Sequence, residues 1–289
     1  MAQNSIKAWF SIFAELSKIK IPFAVSFSSF TGYVLFKGAL DAGALISTLG
    51  VFLLASGSAA LNQFQEHQFD IKMQRTRHRP IPSGRYSSTK TLIFTLIVSA
   101  IGTLLLLFGA NITATIIGLL TLLWYNGVYT PLKRRTVFAV LAGAFVGAYP
   151  PLIGWSAAGG QILDKEILMI ASLLFIWQVP HFILLLLKYG KEYEIAGFST
   201  LTSYLSEAQL RKVIFIWILA TAFSVIGIII SGFIGSKIII TALMASSVWL
   251  IFTFYFILKK QQVNLRLAFI QINLFLIFVL ALFTVDSLL

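Results

Sequence analysis

The fold predicted by this sequence is all-α: a polytopic transmembrane bundle of about nine helices, amino terminus in the cytoplasm. Three observations carry that prediction. Of 289 residues, 58% are apolar and only 11% charged, against roughly 45–50% and about 25% in soluble domains, and the mean hydropathy is +0.90. A single water-soluble core cannot hide that surplus. The apolar runs are long and unbroken, as from Val213 to Ile234, and match the roughly 20 residues of a spanning helix; barrel strands would alternate over about ten. Finally, Lys and Arg number 22 against 10 Asp and Glu, and they gather on one set of connections. Disordered, coiled-coil and disulfide-rich secreted classes are excluded. With no cysteine there is no thiolate metal site either.

In chain order, Met1 to Lys18 reads as an amphipathic lead-in. It lacks the apolar core and small-residue cleavage site of a signal peptide, and it is not the Arg-rich, acid-poor segment that targets organelles. A bacterial inner membrane is therefore expected. Spans are predicted near 19–37, 42–62, 91–110, 112–129, 137–157, 166–187, 213–234, 238–258 and 267–286. Lys7, Lys18 and Lys20 precede the first. Lys72, Arg75, Arg77, Arg79, Arg85 and Lys90 follow the second, and Lys133, Arg134, Arg135, Lys188, Lys191, Arg211, Lys212, Lys259, Lys260 and Arg266 fall on the same side. The other side has Lys37, Lys165 and Lys237. Basic residues collect in cytoplasmic loops, which places the amino terminus inside and Leu289 outside. The net charge of +12 is thus a matter of topology and of anionic lipid, and no nucleic-acid partner is implied.

The chain reads as one integral-membrane domain, residues 1–289, with unequal connections. Gly109–Asn111 and Gly235–Ser236 can barely turn the chain, whereas 63–90 and 188–212 are long and hold most of the polar chemistry. Both long connections follow an even-numbered span and begin with acidic residues, a pattern that suggests a duplicated unit of about four helices.

Asn62, Glu66 and Asp70 are spaced i, i+4, i+8 and share one helix face. Carboxylates so stacked repel unless a cation lies between them. Magnesium binds through one or two carboxylates plus substrate phosphates, so this face is a sensible half-site for a Mg2+–diphosphate. Lys72, Arg75 and Arg79 follow and can hold phosphate oxygens, Arg bidentately. Pro80 and Pro82 then stop the helix.

The string N-Q-x-x-E-x-x-x-D-x-x-M-x-R-T-x-x-R-P from Asn62 resembles the signature of the heme O synthases (protoheme IX farnesyltransferases), a branch of the UbiA-type intramembrane prenyltransferases. Glu66 stands where most of that superfamily has aspartate. W-Q-V-P-H-F at 177–182, followed by Glu192–Tyr193 and Gly197, is similar to the same branch, as is Y-T-P-L-K-R-R-T from Tyr129 to Thr136. The P-P-L-I-G-W run at 150–155 also looks familial, its prolines interrupting a span; Pro180 is expected to kink another. The superfamily's second acidic pair is incomplete, since its second acid would fall on Ala196, and Glu194 lies on a different face. Lys188 and Lys191 can carry diphosphate charge there instead, and Lys133 and Arg134 can reach the same pocket. Asn126 and Tyr129 are weaker candidates for its polar lining.

The resemblance implies farnesyl diphosphate and heme b as substrates, heme O and diphosphate as products, and Mg2+ as cofactor. It implies metal ligation and catalysis by Asn62, Glu66 and Asp70, with Glu192 as a further catalytic acid. Diphosphate contacts are expected from Lys72, Arg75, Arg79, Lys133, Arg134, Lys188 and Lys191, and heme contacts from Trp177, Gln178, His181 and Tyr193. Membrane lipid surrounds the chain; heme A synthase or cytochrome oxidase assembly factors are the protein partners it implies. The alternatives are prenyl transfer to a quinone precursor or another tetrapyrrole, and a transporter. Transporters place ionisable groups near the midplane, whereas nearly all the acids here lie at span ends.

Overall fold

The computed structural model describes residues 11–289, so Lys7 and most of the expected amphipathic lead-in lie outside the described residues. A helix at Ser11–Ser17 leads into α1 (Lys20–Lys37). Then come α2 (Ala42–Asp70), α3 (Ser88–Gly109) and α4 (Ile112–Leu123), which runs on through a π-helical turn, Trp124–Tyr129, to Leu132. The remaining helices are α5 (Ala139–Ala157), α6 (Lys165–Ala196), α7 (Glu207–Ile230), α8 (Lys237–Lys259) and α9 (Leu265–Leu288). Among the described residues there is no strand. Eight helices, α2 to α9 with α4 counted through Leu132, are each long and apolar enough to cross a membrane. Helix α1 makes a ninth together with Ser11–Ser17, to which it is bent by 68°.

Short polar side chains set the helix starts. Asp41 accepts the Ala44 N–H and Asn111 the Ala114 N–H, each at 2.9 Å, satisfying donors that the first turn leaves free. Ser206 and Gln209 form a reciprocal capping box at α7. Gly197, at φ 93, ends α6 in the left-handed conformation that glycine adopts without strain.

Two expectations about helix ends are corrected. Helices α2 and α6 do not stop near 62 and 187 but continue to Asp70 and Ala196, so the long connections shrink to 71–87 and 197–206. The polar residues ending α2 mark an inward polar face: Asn62, Gln63, Glu66 and Asp70 are all buried. The helices continue through their prolines. Pro150 and Pro151 lie inside α5, and Pro180 inside α6, as packed neighbours in a membrane bundle allow.

Each long helix packs against the next in sequence, α9 packs back on α1, and α1 also crosses α5 through the middle. That crossing is made by backbone. A Cβ on Gly32 would overlap the Pro151 carbonyl, and one on Gly154 would overlap that of Ser29. Small residues let membrane helices approach this closely. Gly154→Ala should therefore destabilise the bundle by about 1–3 kcal/mol through overpacking. Gly227→Ala, in α7 with nothing near its missing Cβ, should not. Thermal unfolding of the two variants in detergent checks this, and equal melting points would remove the crossing's claimed tightness.

Candidate active site

The last turns of α2 carry Asn62, Glu66 and Asp70, which are 1%, 4% and 1% exposed. Burying two carboxylates on one face requires counter-charge, and it arrives from other segments. Lys133 Nζ lies 2.5 Å from Glu66 Oε1 as an ion pair without hydrogen-bond alignment. Arg79 Nη1 donates to Asp70 Oδ2 at 2.7 Å. Lys18 Nζ donates to Asn62 Oδ1 at 2.9 Å, and Asn62 Nδ2 donates to Thr130 Oγ1 at 3.2 Å. The other Asp70 oxygen, Oδ1, is buried with no hydrogen-bond partner among the described residues.

The π-helical turn beside α2 delivers the rest. Its Asn126 exchanges hydrogen bonds with Ser58, and Gln65 donates to the Asn126 carbonyl at 3.1 Å. Arg134 donates to the Gln65 carbonyl at 2.7 Å, its guanidinium 4.5 Å from the Phe69 ring centroid. Tyr125 and Tyr129 stack at 5.5 Å, and Lys133 Nζ stands 5.5 Å from the Tyr129 centroid.

From α6, Glu192 accepts the Arg75 backbone N–H at 3.2 Å, and Tyr193 accepts from the Arg75 guanidinium at 3.0 Å. That guanidinium also lies 4.9 Å from the Tyr189 centroid. Connection 71–87 is thereby fastened to α6. Lys72, Lys188 and Lys191 are exposed around this rim. Glu194 is spent on structure, its Oε1 accepting from Thr200, Thr202 and Ser203 at 2.6–3.0 Å.

The residues expected at a porphyrin divide. Tyr193 faces the site. His181, three turns deeper, lies between Trp177 and Phe269 with ring centroids 4.8 and 4.7 Å away, and Trp177 donates to the Ile272 carbonyl. Both thus face the seam with α9, while Gln178 packs on Gly147 of α5. The sequence reading missed Lys18 and Thr130 as site residues and left Tyr125 unnamed. The only signal for Lys18 was its place, with Lys20 and Pro22, just ahead of an apolar run.

Two cavities flank the tyrosine stack. One is walled by α1, α2, α4 and α5, and Ser58 and Tyr125 line it together with aliphatic groups such as Val25, Leu54 and Ile153. The other is bounded by Tyr129, Lys133, Phe182, Tyr193 and Phe198.

The family model of the UbiA prenyltransferases matches residues 25–279. The chain belongs to the UbiA prenyltransferase family. The protoheme IX farnesyltransferase of Nitratidesulfovibrio vulgaris strain DP4 is 31% identical over 259 residues, covering 88% of this chain and 89% of that protein. That of Geobacter sulfurreducens is 42% identical over 172 residues, 59% of this chain and 63% of its own. Two solved UbiA homologs share the fold. The one from Aeropyrum pernix has TM-score 0.74 at 15% identity, covering 93% of this chain and 97% of that one. The one from Archaeoglobus fulgidus bound to GPP and Mg2+ has TM-score 0.73 at 12% identity, covering 96% and 99%.

Among the described residues of this UbiA-family chain, no three His, Cys, Asp or Glu side chains gather into a metal site. Two carboxylates and a carboxamide are nonetheless what a cation completed by substrate phosphates needs, and the unpartnered Asp70 Oδ1 fits such a ligand. The Arg79–Asp70 pair is open to a direct test. Arg79→Ala would leave a buried carboxylate without counter-charge, at a cost of about 3 kcal/mol or more. Adding Asp70→Asn should restore part of the lost melting temperature. A double variant no more stable than Arg79→Ala would show that the pair carries no such load.

Proposed function

We propose that the chain transfers the farnesyl group of farnesyl diphosphate to a vinyl group of heme b, with addition of water, giving heme O and diphosphate. One observation carries the reading: a buried Asn62–Glu66–Asp70 face met by Lys133 and Arg79, in a chain aligned over 88% of its length with a protoheme IX farnesyltransferase. The GPP and Mg2+ bound to the Archaeoglobus homolog support the diphosphate half.

Asn62, Glu66 and Asp70 would hold magnesium, which when bound neutralises the diphosphate as it leaves. Arg79 and Lys133 stand ready where that charge develops, and preorganised cations act most strongly there. Lys72, Arg75, Arg134, Lys188 and Lys191 form a basic rim that draws the diphosphate in. The aliphatic cavity takes the farnesyl chain, with Tyr125 and Tyr129 offering ring faces to the allylic cation. Heme takes the second cavity, where Lys133 and Tyr193 supply polar contacts. Trp177, Gln178 and His181 support that wall from the α5 and α9 seams, and Glu192 holds connection 71–87 closed through Arg75. The basic bias of the loops favours a site facing the cytoplasm, in the bacterial inner membrane expected from the sequence.

Attack by a vinyl group leaves positive charge on the carbon next to the porphyrin ring. No proton lost from that carbon would restore an aromatic ring, so water ends the reaction. Turnover in oxygen-labelled water should therefore place one heavy oxygen in the prenylated porphyrin. A ring-prenylated product would carry none, and an unlabelled prenylated heme would sink the water step. Pigment from a host expressing the chain should contain heme O. With Asp70→Asn or Glu66→Gln, heme O should fall at least tenfold while membrane insertion is unchanged. Near wild-type heme O in both variants at limiting magnesium would remove this face from the chemistry.

A further inference from the structure

Lys18 stands at the 68° bend between Ser11–Ser17 and α1. Its φ is 51, and it is the one non-glycine residue of positive φ among the described residues. L-residues occupy that region at a cost that glycine avoids, and such outliers persist where the surroundings hold them for a purpose. Here the bend brings a lysine to a residue 44 positions away: Nζ donates to Asn62 Oδ1 at 2.9 Å. With Asn62 Nδ2 on Thr130, both ends of the carboxamide are pinned. Glu66 and Asp70, with their partners Lys133 and Arg79, stand one and two turns further along the same helix. Asn62, Glu66 and Asp70 thus each have their own basic partner: Lys18 for Asn62, Lys133 for Glu66, Arg79 for Asp70.

We propose that Lys18 is a further diphosphate-binding residue, which turns the Asn62 carboxamide toward the site and passes from Asn62 Oδ1 to a phosphate oxygen when a prenyl diphosphate and a divalent cation bind. The proposal rests on the diphosphate half of the function above and is independent of the acceptor. Two physical points support it. An ammonium and a divalent ion that share one carbonyl oxygen repel each other, so metal ligation by Asn62 favours a move of Lys18 away from it. A compact ammonium on a four-carbon stem can make that move. The charges also balance. A divalent ion with a triply ionised diphosphate adds one negative charge to a cluster whose two carboxylates already face Lys133 and Arg79, and an ammonium at Lys18 would offset it. Without Lys18 the filled cluster would be left negative.

The test uses the full chain in detergent and three probes: farnesyl S-thiolodiphosphate with magnesium, inorganic diphosphate with magnesium, and farnesol. Lys18→Met keeps the apolar stem, and Lys18→Gly also relieves the backbone. Both should bind the two diphosphate probes about 10–100-fold more weakly, the range expected for one charge-assisted hydrogen bond, and should bind farnesol as wild type does. Lys18→Arg should recover most of the affinity. Lys18→Gly should melt no lower than wild type, so stability and diphosphate affinity separate. Unchanged diphosphate affinity in Lys18→Met and Lys18→Gly overturns the proposal. So does a parallel loss of farnesol binding and melting temperature, which would make Lys18 a folding residue only. Asp70→Asn is the reference: if it too keeps full thiolodiphosphate affinity, the diphosphate site itself is misplaced. If it loses affinity while the Lys18 variants do not, only this inference falls.

Discussion

Glu66 and Asp70 lie one turn apart on the same face of α2, and both are almost wholly withdrawn from solvent. Like charges at that spacing repel, and burial removes the water that would screen them. Their counter-charges come from separate pieces of chain: Arg79 from the connection after α2, and Lys133 from the end of the α4 span. Lys18, from the bend before α1, holds the neighbouring Asn62. Packing this end of the bundle and assembling the charge cluster are therefore one event. The glycine-mediated approach of α1 to α5 anchors the helix whose entry carries Lys18.

The π-helical turn Trp124–Tyr129 is the second device on which the site depends. Such turns interrupt an α-helix locally and recur at functional sites. This one lies between an apolar stretch, Ile112–Leu123, and the short piece holding Thr130. It seats Asn126 in the Ser58–Gln65 hydrogen-bond network and stacks Tyr125 on Tyr129. Two cavities of differing character meet at that stack.

Much of this was legible in the sequence, for identifiable reasons. Helical spacing put Asn62, Glu66 and Asp70 on one face, and the apolar runs gave the helices nearly in register. Arg79 and Lys133 stood in basic strings close to recognisable motifs. Lys18 was not legible because a lone lysine ahead of a span looks like a topological anchor; only the folded chain shows what lies across from it. Arg75 read as a phosphate ligand; that its guanidinium also meets Tyr189 and Tyr193 of α6 is a long-range pairing that local spacing does not encode. Both α2 and α6 run on past their apolar stretches: the polar end of α2 is a face turned inward, and that of α6 is a charged end that meets connection 71–87. His181 shows the same limit, since periodicity cannot say which seam of a nine-helix ring receives a given side chain.

The ring itself has a consequence for how such a chain comes together. Neighbours around it are adjacent in sequence; contacts across it join α1 to α5 and α6 to α9, and the ring closes where α9 meets α1. Hairpins emerging in order can pair as they arrive, with little loop entropy to overcome. The closure is different: Thr284 meets Thr31, and the Ser287 hydroxyl donates to the Val34 carbonyl, each across 253 residues. Until α9 is synthesised and inserted, that flank of α1 faces lipid, with its Thr31 hydroxyl lacking the Thr284 contact. Helix α1 is thus both the first long helix of the described chain to be made and the last to be enclosed.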